Sequence, residues 1–173
     1  MLAVLGSARC LWDDVRRLGE FRGDWLAINT VGCFIEWPLQ HWASLHPEFF
    51  SAWATLREPI IRNGRAEANV HNVEFHSHKT VSDWRVRAWP QYPPTPGTSA
   101  LFAAKVGLAL GYERVILCGV PLDGTGSFYH SPWREQKFFH ERKWREPWVQ
   151  AAQDFGGRVR SMSGYTAELL GGL

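Results

Sequence analysis

Glycine, hydroxyl and amide residues recur where short apolar runs of the sequence end and where a helical pattern begins. Glycine lets a backbone approach a ligand closely, and serine, threonine and asparagine side chains hydrogen-bond to phosphate oxygens. The residues of this kind that we single out as ligand-binding candidates are Gly6, Ser7, Asn29, Gly97, Thr98, Ser99 and Gly119. Their types predict a pocket for a phosphate-bearing ligand.

Each of these segments also has a simpler interpretation. Thr98 or Ser99 can cap a helix without any ligand, and Gly6-Ser7 lacks the remainder of a GxGxxG fingerprint. The prediction of a site therefore depends on the segments lying at one face of one sheet.

Histidine is the natural candidate for acid–base chemistry, because its unperturbed pKa lies near neutrality. His46 precedes Pro47 and Glu48. A helix opening at Pro47 would hold the imidazole near Asn29, where Glu48 orients it or raises its pKa. The alternative is a histidine that only packs or satisfies backbone groups.

A second group of histidines comprises His71, His76 and His78. The spacing of His76 and His78 would put both imidazoles on one face of a strand. Because no carboxylate or cysteine accompanies them at ligand spacing, we predict no metal site.

The elements that position these residues follow from the hydrophobic periodicity. Three apolar runs predict adjacent buried strands, at Leu2–Leu5, Trp25–Ile28 and Val115–Cys118. Further strands are predicted around Val73 and over Arg158–Met162. Helices are predicted over Leu11–Leu18, from Pro47, over Thr98–Leu110, within Gln136–Phe155 and at Tyr165–Leu170, whereas Trp89–Pro96 is predicted to be loop. Alternation of strands and helices predicts an α/β fold, a Rossmann-like three-layer arrangement with a mostly parallel sheet.

Composition narrows the class of protein. The 173 residues fit one domain, spanning residues 1–173, and the formal net charge of +2 gives no argument for nucleic acid or membrane partners. The three cysteines show no CxxC pairing, and we expect a reducing, cytoplasmic setting. No signal peptide and no apolar run of membrane-spanning length is apparent in the sequence.

The segments from Gly97 to Ala104 and from Leu110 to Val120 resemble the shared core of two related groups. These are the bacterial sialyltransferases with a single Rossmann-like domain, and the motility accessory factors with the archaeal 6-hydroxymethylpterin diphosphokinases. Val4–Ser7 and Ala27–Asn29 are similar to their first glycine loop and second strand.

The resemblance implies particular roles for the candidates. Gly6 and Ser7 would line the phosphate pocket, Asn29 would contact the nucleotide or the leaving group, and Thr98 and Ser99 would bind phosphate or sugar.

It also implies two further candidate catalytic residues besides His46. Where the family has Asp after Gly-Ile, this chain has Pro121, with Asp123 two positions later. The catalytic histidine of the sialyltransferases lies downstream of this strand, where this chain has His130, the candidate we single out, and His140 as an alternative.

Two functions remain open from the sequence. The first is a glycosyltransferase- or diphosphokinase-like transferase that uses a nucleotide or nucleotide-sugar donor. The chain also resembles short phage and prophage proteins through phrases such as Leu45-His46-Pro47-Glu48. The second function is therefore a non-catalytic phage accessory protein, which would partner copies of itself or a virion protein.

Overall fold

The computed structural model of the chain describes residues 1–60, 72–83, 85–94, 98–129 and 142–173. Seven strands form one all-parallel sheet, in the order β5-β4-β3-β2-β1-β6-β7. The strands are β1 (Leu2–Leu5), β2 (Asp24–Ile28), β3 (His41–Ala43), β4 (Glu74–Ser77), β5 (Val86–Ala88), β6 (Val115–Cys118) and β7 (Val159–Ser161). The helices are α1 (Leu11–Leu18), α2 (Phe50–Ile60), α3 (Thr98–Ala109), α4 (Arg142–Phe155) and α5 (Gly164–Leu170).

Helices cover both faces of the sheet, which explains why the central strands are apolar along their whole length. Side chains of α3 and α4, among them Phe102 and Trp148, share one hydrophobic cluster with Leu2 and Leu117. Leu11 of α1 and Phe50 of α2 belong to the cluster on the opposite face, together with Leu5 and Trp42. The α/β, Rossmann-like prediction is confirmed.

The three strands predicted from apolar runs are adjacent, as expected. Leu5 of β1 pairs with Ala27 of β2 on one side and with Cys118 of β6 on the other. The chain builds outward from β1 through β5 and then returns through α3 to β6, on the other side of β1. The strand order therefore reverses beside β1. Open α/β sheets bind their ligands at the carboxyl ends of the strands next to such a reversal.

Several elements differ from their predicted form. The three-residue strands β3 and β5 are too short to show a period of two, and β3 lies before Pro47 in a stretch where the sequence predicted no strand. Pro47 opens a 3-10 turn, Pro47–Phe49, before α2 begins. The predicted final strand and terminal helix are confirmed as β7 and α5.

No helix in the described ranges combines the length and apolar character needed to cross a membrane.

Candidate functional site

Two glycines let the backbones of β1 and β6 meet at the carboxyl edge of the sheet. A Cβ on Gly6 would lie 2.4 Å from the carbonyl oxygen of Gly119, and a Cβ on Gly119 would lie 2.5 Å from that of Gly6. Gly119 also has φ +68°, a conformation that favours glycine. Both positions therefore require glycine for a close approach of two loops.

A buried carboxylate fixes the β6 side of this crossing. Asp14 of α1 is 1% exposed, and its Oδ2 accepts hydrogen bonds from the Gly119 N–H and the Ser163 hydroxyl, both at 2.8 Å. The Gly119 N–H is thus engaged away from the site. Gly119 therefore contributes to the site through the close approach of its backbone to Gly6, and its hydrogen bond to Asp14 holds that backbone in place.

The loop after β6 closes one side of the site against the loop after β1. Ala8 and Ser127 form an isolated antiparallel bridge, and the Phe128 N–H donates to the Ser7 carbonyl at 2.9 Å. The hydroxyls of Ser7 and Ser127 lie 3.0 Å apart. In the same loop Asp123 accepts from the N–H and hydroxyl of Thr125, at 3.0 and 2.7 Å. The loop is held by these bonds without support from regular secondary structure.

Asn29, at the carboxyl end of β2, is held by three neighbouring groups. Its carbonyl accepts from the Trp42 indole N–H at 2.6 Å, and its side-chain oxygen accepts from the Ser44 hydroxyl at 2.7 Å. Its side-chain nitrogen donates to the Ser99 hydroxyl at 3.3 Å. The bond to Ser99 links the end of β2 to the first turn of α3.

The first turn of α3 supplies the opposite wall. The first N–H groups of a helix have no partners within the helix and attract anions. Thr98 begins α3 with φ +82°, and its buried hydroxyl oxygen has no hydrogen-bond partner among the residues that the structure describes. The capping interpretation does not describe Thr98, because a cap would place this hydroxyl on a backbone N–H.

Backbone strain is concentrated in this place. Among the described residues, the non-glycine residues with positive φ are Asn29, Thr98 and Leu122, at +51°, +82° and +50°. All three line one cavity. Such conformations cost of order 1–3 kcal/mol each and cluster at ligand sites, where the surrounding structure enforces them.

The cavity has a volume of about 570 Å³, part of which is open to solvent. Of the predicted residues, it brings together Gly6, Ser7, Asn29, Thr98, Ser99, Gly119 and Asp123. Asp123 is the only charged side chain among the described lining residues. An anion bound here would be held by hydroxyls, an amide and helix N–H groups, while Asp123 can accept hydrogen bonds from ligand hydroxyls.

The remaining predicted residues lie elsewhere or outside the described ranges. His46 stands beyond the carboxyl end of β3 but is not among the lining residues; its side chain is 61% exposed and its Nδ1 is 3.4 Å from Glu48. Gly97, His130 and His140 fall outside the described residues.

The structure adds residues that sequence reasoning did not identify. Asp14, Ser44 and Ser127 hold or line the site. Asp14 and Ser44 stand in segments without any motif, and their roles depend on contacts far along the chain. For Ser127 the glycine-rich loop around Gly124 and Gly126 was a usable signal.

A second polar cluster lies on the face of the sheet covered by α3. It begins with Asp24 and His41 at the amino ends of β2 and β3 and extends through His76 to Trp89, which follows β5; we call it the amino-edge cluster. His76 of β4 is fully buried, and its Nε2 is 3.0 Å from Nδ1 of His41 on β3. Nε2 of His41 is 2.8 Å from the Tyr112 hydroxyl, which donates to Asp24. The sequence predicted that His76 and His78 lie on one face of a strand, which is wrong because His78 lies beyond the end of β4. The histidine that lies next to His76 is His41, from the neighbouring strand β3. His71 lies outside the described residues.

Trp89, at one end of this cluster, determines which atom donates in each of its hydrogen bonds. The Trp89 indole N–H, which can only donate, points at Nδ1 of His76 from 3.1 Å. Neutral His76 must then carry its proton on Nε2 and donate to His41. His41 in turn donates from Nε2 to Tyr112. Burial lowers the pKa of His41, and it lowers that of His76 to about 3, so both rings are neutral near pH 7.

Contrary to expectation, a carboxylate does accompany these histidines. Oε2 of Glu74 lies 3.6 Å from Nδ1 of His41 and 3.9 Å from Nε2 of His76, a grouping whose atom types suit a metal ion. Two contacts oppose a metal ion there. Trp89 keeps the proton on the His76 nitrogen that would bind it, and Arg87 lies 3.3 Å from Glu74. We interpret the cluster as a structural hydrogen-bond chain.

Solved structures share this fold. The sialyltransferase CstII from Campylobacter jejuni in complex with the substrate analogue cytidine-5'-monophosphate aligns with a TM-score of 0.67 and 14% identity, covering 99% of this chain and 84% of that chain. CST-II in complex with a trisaccharide acceptor and CMP aligns with a TM-score of 0.66 and 12% identity, covering 99% and 85%. At these identities the likeness establishes a sialyltransferase-like fold.

No protein-family model and no curated protein sequence matches the chain, so neither supports the resemblance to phage proteins.

Proposed function

We propose that this protein is a glycosyltransferase-like transferase that binds a nucleotide-sugar donor in the cavity at the carboxyl ends of β1, β2 and β6. The observation that carries the proposal is the convergence of hydrogen-bond donors and strained backbone there. Ser7, Asn29, Thr98 and Ser99 line one cavity, and two of them hold positive φ without being glycine. The fold shared with a sialyltransferase solved in complex with CMP supports our choice of the nucleotide class.

The proposed orientation places the donor phosphate against the first turn of α3 and the ribose or base toward Asp123. The helix N-terminus carries about half a positive charge, which favours the phosphate. The Asp123 carboxylate repels phosphate but accepts hydrogen bonds from ribose hydroxyls. The polarity of the cavity thus matches a ligand with an anionic part and a hydroxyl-bearing part.

In the proposed reaction the acceptor hydroxyl loses its proton to a base and attacks the donor sugar, while the bond from sugar to phosphate breaks and CMP leaves. Groups that stabilise the departing phosphate contribute the main catalytic effect. His46 and His130 are our candidates for the base. If His46 is the base, His46→Asn will lose turnover between pH 6 and 8, and full turnover will exclude it.

Calorimetric titration with CMP tests the proposal, with UMP and ATP as comparison ligands. We expect CMP to bind, Ser7→Ala and Asn29→Ala to weaken binding, and Ser51→Ala, on the exposed surface of α2, to leave it unchanged. Preference for ATP would favour a diphosphokinase-like function. Absence of binding to any of the three nucleotides would contradict the proposal.

The proposed setting is the cytoplasm. Cys10, Cys33 and Cys118 are free thiols, and burial raises the pKa of Cys10 and Cys33 to about 11 and that of Cys118 to about 12. Thiols of this kind are poor nucleophiles and fit a reducing compartment.

A further inference from the structure

Ser44 lies directly after β3, is fully buried and does not line the cavity. Its hydroxyl oxygen has two neighbours. The His46 backbone N–H donates to it at 2.8 Å, and the side-chain oxygen of Asn29 lies 2.7 Å away. Because a backbone N–H can only donate, the Ser44 oxygen accepts there, and its single proton is left for Asn29.

This bond decides which end of the Asn29 amide faces the cavity. The atom that receives the Ser44 proton must be an acceptor, which is the amide oxygen. The amide nitrogen therefore points the other way, toward the Ser99 hydroxyl at 3.3 Å and the cavity. One of its two protons goes to Ser99, and the second remains for a ligand.

The same bond determines what Ser99 offers. Since the Ser99 oxygen accepts from Asn29, its own proton remains for a ligand. This wall then presents donors from Asn29, Ser99 and the first turn of α3. With the amide reversed, Asn29 would present an acceptor beside the phosphate, and the two would repel each other.

We propose that Ser44 is a positioning residue that fixes the Asn29 amide as a hydrogen-bond donor and so makes this wall selective for acceptor-rich, anionic ligand groups. The inference rests on the proposed function for the identity of the ligand, but the amide orientation stands apart from it.

The chain contains a matched control. Ser77 follows the same pattern on the neighbouring strand, where it is fully buried and its hydroxyl oxygen accepts from the N–H two residues on, that of Lys79, at 3.5 Å. It has no asparagine to orient. Ser77→Ala therefore removes an equivalent buried hydroxyl without touching the cavity wall.

The first measurement needs no ligand. In nuclear Overhauser spectra of the whole chain, we expect the side-chain amide protons of Asn29 to lie close to the Ser99 side chain in the wild type and in Ser77→Ala. In Ser44→Ala this proximity should be lost or averaged. Amide protons of the wild type that lie close to Ser44 instead of Ser99 would overturn the inference.

The second measurement is a double-mutant cycle on CMP affinity, which separates positioning from general structural damage. Ser44→Ala should weaken binding about tenfold, as expected for one mispaired hydrogen bond, and Ser44→Thr should restore it. In an Asn29→Ala background, Ser44→Ala should have no further effect. A tenfold loss of CMP affinity from Ser44→Ala in the Asn29→Ala background would overturn the positioning role of Ser44. If the wild type binds none of the three nucleotides, the proposed function fails, while the spectra still decide the amide orientation.

Discussion

The two polar clusters of this sheet differ in how their hydrogen bonds are completed. In the amino-edge cluster, Trp89, His76, His41, Tyr112 and Asp24 form a chain in which each proton has a determined place. At the carboxyl edge, the Thr98 hydroxyl has no partner within the described part of the chain, and Asn29 and Ser99 line an open cavity.

The amino-edge cluster has the richer set of titratable residues, but we propose the ligand site at the carboxyl edge. A buried polar group without a partner is costly, and a fully partnered network mainly stabilises the fold. Our proposal therefore rests on the buried hydroxyl and the strained backbone and not on the density of histidines.

The largest expected effect is at the crossing of the carboxyl-edge loops. Gly6→Ala places a methyl group against the Gly119 carbonyl, and we expect a loss of about 3 kcal/mol in the free energy of unfolding. Urea denaturation measures it. The control is Gly172→Ala, whose new Cβ would have its nearest neighbour at 4.0 Å, and it should stay within about 0.5 kcal/mol of the wild type. Equal stability of the two variants would contradict the predicted clash.

The next effect is a pH dependence of stability that comes from the amino edge. Burial keeps His76 neutral in the fold down to a pKa of about 3, despite Glu74 nearby and with Arg87 acting in the same direction as burial. The unfolded chain takes up this proton below about pH 6.5. Stability should therefore fall by about 1.4 kcal/mol per pH unit for such a histidine as the pH drops below 6.5, and should not change for this reason above it.

The variant that isolates this dependence is His76→Asn, whose side-chain oxygen can still accept from Trp89. Denaturation curves between pH 7 and 4.5 should show a shallower loss of stability than in the wild type. Ser7→Ala, which changes no titratable group, should keep the wild-type slope. A wild-type slope in His76→Asn would show that this ring is not held neutral.

A smaller loss in the free energy of unfolding is expected from Tyr112→Phe. This substitution removes the hydroxyl that donates to Asp24 and accepts from His41. The buried N–H of His41 would then have no acceptor, at a cost of about 1–2 kcal/mol. Thermal denaturation measures the loss, and CMP affinity should not change. A loss of affinity would show that the two edges are coupled.

Thr98→Val also removes a single hydroxyl, in this case at the carboxyl edge of the sheet. Its hydroxyl has no partner to lose, so stability should stay within about 0.5 kcal/mol of the wild type. CMP affinity should fall about tenfold if the hydroxyl contacts the ligand. A stability loss as large as that of Tyr112→Phe would remove the contrast between the edges.

The smallest expected effect is that of Zn²⁺ on the wild type, since Trp89 keeps the metal-facing nitrogen of His76 protonated. Thermal unfolding with added Zn²⁺ should match unfolding with a chelator. In Trp89→Phe the proton can move to the other ring nitrogen, and Zn²⁺ at 100 times its dissociation constant would then stabilise by about 2.7 kcal/mol. Stabilisation of the wild type by Zn²⁺ would show that the cluster binds metal.

The sequence predicted the centre of the fold better than its periphery, for a physical reason. The strands at Leu2, Trp25 and Val115 are buried on both faces, so continuous apolar runs mark them. Strand β3 consists of His41, Trp42 and Ala43, and its polar member is buried because Tyr112 and His76 complete its hydrogen bonds.

The residues of the candidate site also differ in whether the sequence could predict them. Ser7, Asn29, Thr98 and Ser99 could be predicted because they occupy the ends of recognisable elements, and the structure brings all four to one cavity. Ser44 and Asp14 could not, since their importance lies in single long-range hydrogen bonds. The placement of His46 outside the cavity lining depends on the course of the loop after β3, which no periodicity specifies.

The central position of β1 has a consequence for the order in which the protein assembles during synthesis. Leu2 pairs with Asp24, made soon afterwards, and with Val115, made much later. Until β6 emerges from the ribosome, one edge of an apolar strand waits without a neighbour, which is the state in which nascent chains are prone to misassociate. The two glycine loops first meet when that edge closes. The nucleotide binding that we propose should thus appear only after β6 has been made, and ligand capture can then report that the two loops have met.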